Sequence, residues 1–342
     1  MRIARLTGAC LLGLLCLVVP KLAFAGGVVE LFGASSDLGD GLFGVVNQST
    51  GAFTQRGTTP TGQQMPALAC NASQALFGSE NRTVTAPMTP VAGGSRCGFL
   101  VGLNPTTGAV TQSFGFITLA GAPNSCLRVS DFDFNPANGV LYGVASANST
   151  RDGLFTITLT TPPVATLVGL LDPSCTTNCI ERGGLAFRDD GALFLASING
   201  DLARLNPADA SIVGSILPDV TNCAEAATFR NSDDVMFVDE CDGDTLWTVD
   251  ENTGQETVLT SDPGESLASL AFCGDRGGVV GGVTPTPTPT VPGPTATPTA
   301  TLTSTPITGV PAAVPTMSGL TLVLFGTLLA AGALLSILRV RS

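Results

Sequence analysis

One short unit recurs through the chain: an aliphatic residue followed by an aromatic one, usually ahead of small residues. It reads Leu31-Phe32-Gly33, Leu76-Phe77-Gly78, Leu141-Tyr142-Gly143, Leu193-Phe194-Leu195 and Met236-Phe237-Val238, at spacings of 45, 65, 52 and 43 residues. Such a pair fits a short, half-buried strand. A strand that returns at this interval marks one supersecondary unit used repeatedly, and a unit that cannot bury its own apolar face has to pack on its copies.

The later copies share an order: an inner strand ending in a hydrophobe (Phe134, Phe187, Phe229), the aromatic strand, a third strand, a turn and a fourth strand. The third-to-fourth turns read Asn47-Gln48-Ser49-Thr50-Gly51, Asn104-Pro105-Thr106-Thr107-Gly108, Asn206-Pro207-Ala208-Asp209 and Glu251-Asn252-Thr253-Gly254. These residue types accept tight turn geometry. The third unit departs, with Thr160-Thr161-Pro162-Pro163 at this place. Four short strands per unit of about 50 residues describe a propeller blade. The first blade has its second, third and fourth strands in VVELFGAS, GLFGVVN and AFTQRG but no inner strand ahead of them. Ser266-Leu267-Ala268-Ser269-Leu270-Ala271-Phe272 carries the inner-strand pattern at the other end. The expected fold of residues 26–282 is therefore an all-β, five-bladed β-propeller in which the C-terminal strand closes the first blade and leaves no open sheet edge. A stack of separate sandwiches is the alternative, because period-2 patterning fits both.

The ends read as delivery and anchoring segments. Arg2 and Arg5 precede an apolar stretch from Gly8 to Pro20, and Ala23-Phe24-Ala25 supplies a small-x-small cleavage site, so residues 1–25 read as a signal peptide. Cys16 offers a lipoprotein alternative, with Leu15 where a small residue is wanted. Residues 283–313 are Thr/Pro-rich, a composition that blocks helix and sheet and favours an extended polyproline spacer. Its threonines suit O-linked sugar as well as an unmodified linker. From Gly319 to Leu338 no residue is charged, a length that matches one membrane-spanning helix, and Arg339 and Arg341 behind it place the tail in the cytoplasm and the rest outside. A buried core helix is the bland reading, opposed by the all-round apolar character of the run. Val314-Pro315-Thr316-Met317-Ser318, then the apolar run, then the basic end resembles the IPTL-CTERM type of C-terminal sorting signal of Gram-negative bacteria. Val and Met stand in place of Ile and Leu of that motif, and Gly319-Leu320 follows where a Trp-Gly pair is often found. The resemblance implies a sorting protease as partner and a membrane anchor before any cleavage. The body, by its repeats, is similar to secreted bacterial propellers.

Ten cysteines agree with export. Cys10 and Cys16 leave with the signal peptide, and eight remain, enough for four disulfides in an oxidising compartment. The pairings expected are Cys175 with Cys179, Cys223 with Cys241, Cys97 with Cys126, and Cys70 with Cys273, the last joining inner strands of neighbouring blades at the closure. A zinc site is the functional alternative for Cys175-x3-Cys179, without any histidine to help.

Charge narrows the partners. Ten of the 15 basic residues lie between Gly26 and Gly282, all arginine, against all 27 acids, leaving −17 there. Nucleic acid needs a basic footprint and is not the expected partner; an unknown protein or glycan at the surface is. Asp239-Glu240-Cys241-Asp242-Gly243-Asp244 is the densest acidic stretch. Asp239, Asp242 and Asp244 offer hard oxygen ligands for calcium on a Gly turn, without full EF-hand spacing, and a solvated turn beside a disulfide is the bland reading. Asp131, Glu181, Arg182 and Glu225 sit at the starts of inner strands and would converge at the channel mouth as ligand-binding residues, or simply pair and solvate the rim.

Zero histidines remove Ser-His-Asp and Cys-His systems, and the mature chain lacks lysine for Schiff-base chemistry. Trp247 and Tyr142 are the single Trp and Tyr, too few for a sugar-stacking platform, and Trp247 reads as packing. Sequons at Asn47, Asn71, Asn81 and Asn148 matter only in a host that glycosylates. The expected function is a noncatalytic binding or interaction module displayed outside the cytoplasm. The alternative is a calcium-dependent or carboxylate-based extracytoplasmic hydrolase or lactonase.

Overall fold

The structure, a computed structural model, describes residues 29–35, 41–59, 62–148, 150–172, 180–218, 220, 223–241, 245–260 and 267–274. The chain divides into two units, Met1–Gly282 and Val283–Ser342. The second unit lies outside the described residues, as do the signal peptide, the linker, the sorting motif and the apolar run. Among the described residues there are strands and turns only, and no helix is long and apolar enough to cross a membrane.

Five sheets form, antiparallel throughout except where β14 meets β9 and β10 meets β6 in parallel at the edge of the third. The first runs β22 (Leu267–Cys273), β1 (Glu30–Ser35), β2 (Leu42–Val46), β3 (Phe53–Thr58). The second is β4 (Ala67–Cys70), β5 (Leu76–Thr83), β7 (Arg96–Leu103), β8 (Val110–Phe116). The third is β11 (Val129–Phe134), β12 (Leu141–Ser146), β13 (Asp152–Ile157), β14 (Val164–Leu170), extended at its edge by β9 (Thr118–Leu119), β10 (Ala122–Cys126) and β6 (Thr89–Pro90). The fourth has β15 (Gly183–Phe187), β16 (Leu193–Ser197) and β17 (Leu202–Leu205); bridges Leu202–Leu217 and Leu205–Ile212 stand where a fourth strand is expected. The fifth is β18 (Ala224–Arg230), β19 (Val235–Glu240), β20 (Leu246–Val249), β21 (Glu256–Thr260). The inner strands touch in sequence, β22 to β4, β4 to β11, β11 to β15, β15 to β18, and β18 back to β22. The arrangement is propeller-like, and the C-terminal β22 pairs antiparallel with β1, Phe272 opposite Leu31.

The aromatic repeat now has a physical cause. Each unit falls on the second strand of a sheet, and in four of the five its ring meets a phenylalanine at or next to the end of the inner strand of the next sheet. Phe77 meets Phe134, Tyr142 meets Phe187, Phe194 meets Phe229 and Phe237 meets Phe272, with ring centroids 5.3, 5.3, 5.3 and 5.2 Å apart. Such tilted pairs add about 0.5–1.5 kcal/mol each beyond the area they bury. Phe32 lacks such a partner because Cys70 ends the inner strand of the second sheet; these two share a core cluster instead. The apolar core is thus five wedges, each between two neighbouring sheets.

The third-to-fourth turns use one device. The Asn47 side chain accepts from the Ser49 and Thr50 amides, Asn104 from Thr106, Asn206 from Ala208, and Asp250 from Asn252 and Thr253. The last turn therefore starts at Asp250, one residue before the expected Glu251. Three of the four expected disulfides are formed: Cys70–Cys273, Cys97–Cys126 and Cys223–Cys241. Cys175 and Cys179 lie outside the described residues.

Candidate functional site

At one end of the inner-strand ring, a cavity of about 130 Å³ opens among Pro66, Arg128, Val129, Ser130, Arg182, Ile198 and Glu225. Four sheets contribute, because Pro66 precedes β4, Arg128 precedes β11, Arg182 precedes β15 and Glu225 lies at the start of β18. The strand ends bring these residues together from positions as far apart as 66 and 225 in sequence.

Arg182 is clamped. Its Nη1 donates to Asp152 Oδ1 and to Ser146 Oγ, both at 3.1 Å, and its backbone N–H donates to Asp152 Oδ2 at 2.9 Å. Ser146 Oγ in turn donates to Asp152 Oδ1 at 2.8 Å, and the Asp152 side chain is nearly buried. This guanidinium is fixed as a wall of the cavity. Arg128, Ser130 and Glu225 differ, since among the described residues their side chains make no hydrogen bond and no ion pair. The Arg128 side chain is exposed yet crowded, and loss of hydration, then repulsion from Arg182 and Arg96, pull its pKa down, while Glu225 pulls the other way. Glu225 is half-buried, and burial lifts its carboxyl to about 7 against the opposing pull of Arg128.

Of the four residues expected at this mouth, Arg182 and Glu225 line the cavity. Glu181 is exposed, and its backbone N–H donates to Ser197 Oγ at 3.1 Å. Asp131 is fully buried between the inner strands. Its Oδ1 accepts from the Phe132 amide at 2.9 Å, and its Oδ2 from the Leu185 amide at 2.8 Å and the Ala227 amide at 3.3 Å. Burial pushes its pKa up, against those three amides, which favour the ionised form. Asp133 repeats the pattern one turn of the pleat further, accepting from the Phe134 and Phe187 amides at 2.8 Å each. Two carboxylates thus tie β11 to β15, and Asp131 reaches on to β18. The contact is close: a Cβ on Gly184 would sit 2.3 Å from the Ala227 nitrogen. Arg128 and Ser130 line the cavity beyond the residues expected there. Arg128 had a legible signal, because it stands one residue before its inner strand, as Arg182 does before its own.

On the acidic loop, Asp239 is buried at the end of β19, while Asp242 and Asp244 lie outside the described residues. Among the described residues no group of three or more His, Cys, Asp or Glu side chains is arranged to hold a metal ion. At the opposite end of the ring, by the first-to-second and third-to-fourth turns, a wide polar groove of about 550 Å³ includes Asp233, Asp234, Asp250, Glu251 and Arg188. Arg188 bridges the fourth and fifth sheets there, through Glu251 at 2.6 Å and Asp190 at 2.5 Å.

No protein-family model matches the chain, and no curated protein matches it. Among solved structures, the chain is similar to one in a nidogen/laminin complex, at 12% identity, covering 72% of this chain and 98% of that one with a TM-score of 0.43. It is similar to a protein of unknown function from Bacteroides caccae at 15% identity, 72% and 98% coverage and a TM-score of 0.40. It is also similar to the WD40 β-propeller domain of Doa1, at 12% identity, 67% and 64% coverage and a TM-score of 0.33. Strand order and the contacts between inner strands, independent of these likenesses, define the arrangement described above.

Proposed function

We propose that the chain is an exported five-bladed β-propeller, anchored at or sorted to the cell surface by its C-terminal tail, that binds a partner without transforming it. The cavity at the inner-strand ends is its binding site. The carrying observation is that Arg128, Ser130 and Glu225 face one enclosed space while making no hydrogen bond within the described protein. Groups left open in this way are available to a ligand. Paired-acid hydrolysis needs two carboxylates across one substrate; in the described lining Glu225 stands without a second, and Asp131 is occupied by backbone amides. Five blades are supported by five sheets whose inner strands meet in a closed cycle. Export is supported by the disulfides, which persist in oxidising compartments. Membrane anchoring and sorting rest on the tail sequence.

The test is a titration of fluorescently labelled protein against envelope fractions of its native cell, beside the Arg128→Glu variant. Saturable binding that the variant loses supports the reading. Binding that does not saturate, or that the variant keeps, overturns it. Intact mass of the native protein reports the tail: an end near Pro315 means cleavage, and retention of Arg341 in the membrane fraction means a permanent anchor.

A further inference from the structure

Resting on the channel-mouth reading, we propose that the cavity is a socket for a carboxylate on a short aliphatic stem, with the Arg128 guanidinium as the group that recognises it. Size comes first. A space of about 130 Å³ holds a handful of heavy atoms, so it takes a very small ligand whole or only the end of a longer one. The walls are mixed: Pro66, Val129 and Ile198 are apolar, and Ile198 is among the few large apolar side chains left exposed in the described residues, at 37%. An aliphatic stem covers that surface.

Charge selects the headgroup. Arg128 is repelled by Arg182 and by Arg96, and an anion seated against its guanidinium relieves that repulsion. Arg182 is held by Asp152 and Ser146, so its charge is compensated and it contributes position. Among the described residues the Arg128 fork donates no hydrogen bond, and a planar fork meets a carboxylate in two parallel hydrogen bonds. Ser130 adds a hydroxyl. Glu225 decides against a dianion: a phosphate or sulfate beside this carboxyl brings like charge without a stem. A carboxylate brings a single charge and can share a proton with the Glu225 carboxyl facing it.

Two sources carry this chemistry, the C-terminus of a polypeptide and a free short-chain carboxylic acid. The full chain in detergent micelles is titrated by calorimetry with butyrate, with a peptide ending in a free valine carboxylate, with the same peptide amidated, and with inorganic phosphate. The proposal expects one site. Amidation weakens peptide binding at least tenfold, and Arg128→Gln weakens the acid ligands by about ten- to a hundredfold, the usual loss for a charged hydrogen-bonded contact. Arg204→Gln, the same charge change away from the cavity, leaves binding unchanged. Binding of the peptide without butyrate supports the proposal and assigns the socket to a polypeptide terminus, and butyrate without the peptide supports it with a free acid. Equal binding of acid and amide, phosphate binding tighter than butyrate, or an Arg128→Gln variant with wild-type affinity overturns it. Envelope binding lost in Arg128→Glu with no carboxylate bound sinks this chemistry and leaves the module reading standing; carboxylate binding without envelope binding does the reverse.

Discussion

Glu225 and Asp131 are two acids on inner strands with opposite circumstances. Glu225 titrates near 7 when folded and near 4.5 when unfolded. Between those values the folded chain keeps a proton that the unfolded chain releases, so this group's contribution to stability is complete below about pH 4.5 and is lost as pH rises through 7. Glu225→Gln removes the titration. The variant is expected to lose less stability than the parent between pH 5 and pH 8, with a gain at pH 8 of at most about 3 kcal/mol, reduced by whatever water screens the cavity. Urea midpoints at the two pH values measure it, and parallel declines in both proteins would remove Glu225 as the cause. Asp131 carries its role through geometry. Both of its oxygens face amide N–H groups, so Asp131→Asn turns an NH2 toward a donor and is expected to cost about 2–4 kcal/mol. Exposed Glu181→Gln should stay within about 0.5 kcal/mol; equal effects of the two in thermal melts would contradict the strand-tying role. Half of the candidate site was legible: Arg182 and Glu225 stand at inner-strand starts, and charged residues there converge in any ring of this kind. Asp131 was not, because an acid at a strand start reads the same whether it faces solvent or a neighbour's amides. Arg128 required lining up the inner strands before the equivalence with Arg182 becomes visible.

The turns, taken as elements, join the sheets as well as connecting strands. The turn of the second sheet lies on the outer strand of the first, where a Cβ on Gly57 would sit 1.9 Å from the Thr107 backbone oxygen; the turn of the fourth lies on the outer strand of the third, where a Cβ on Gly169 would sit 2.2 Å from the Asp209 backbone oxygen. Two arginines reinforce the pattern: Arg188, after Phe187, pairs with Glu251, and Arg230, after Phe229, donates to Gln48 Oε1 at 3.1 Å. Gly57→Ala forces backbone apart and is expected to cost about 1–3 kcal/mol. Gly139→Ala is the reference, since its φ of 70° carries only conformational strain, about 1–2 kcal/mol, with open space around the new methyl. Urea midpoints of the two single variants compare the costs: a Gly57→Ala variant no worse than a neutral surface change would refute the turn-docking contact. Strand order was legible for a related reason, because the pairing of four of the five second-strand rings with the next inner-strand phenylalanine writes the fold into a spaced aromatic pattern. Strands β6 and β9 were not legible, having two residues each and no periodicity to read. The fourth sheet's outer segment lost its strand signature where Gly214 turns the chain at a φ of 82°.

At the scale of the whole molecule, the question is what keeps the ring shut. The closing pair β1–β22 joins residues near the two ends of the fold, so its formation waits on everything between, and loop closure across that span carries a large entropic cost. The Cys70–Cys273 bond lies at this seam with a sequence separation of 203, against 29 for Cys97–Cys126 and 18 for Cys223–Cys241. In the chain-entropy account the three are worth about 5, about 3.5 and about 3 kcal/mol. Replacing Cys70 and Cys273 together by serine is therefore expected to lower the guanidinium midpoint more than either other pair replacement, with the β22 amides losing hydrogen-exchange protection first. The exchange pattern carries the argument further than the midpoint does. If the seam is the weak point, opening should free β22 together with β1 while β11 and β15, tied by Asp131 and Asp133, stay protected. Uniform loss of protection across all five sheets would mean that the ring fails as one cooperative unit and that the bond stabilises it without guarding a particular seam.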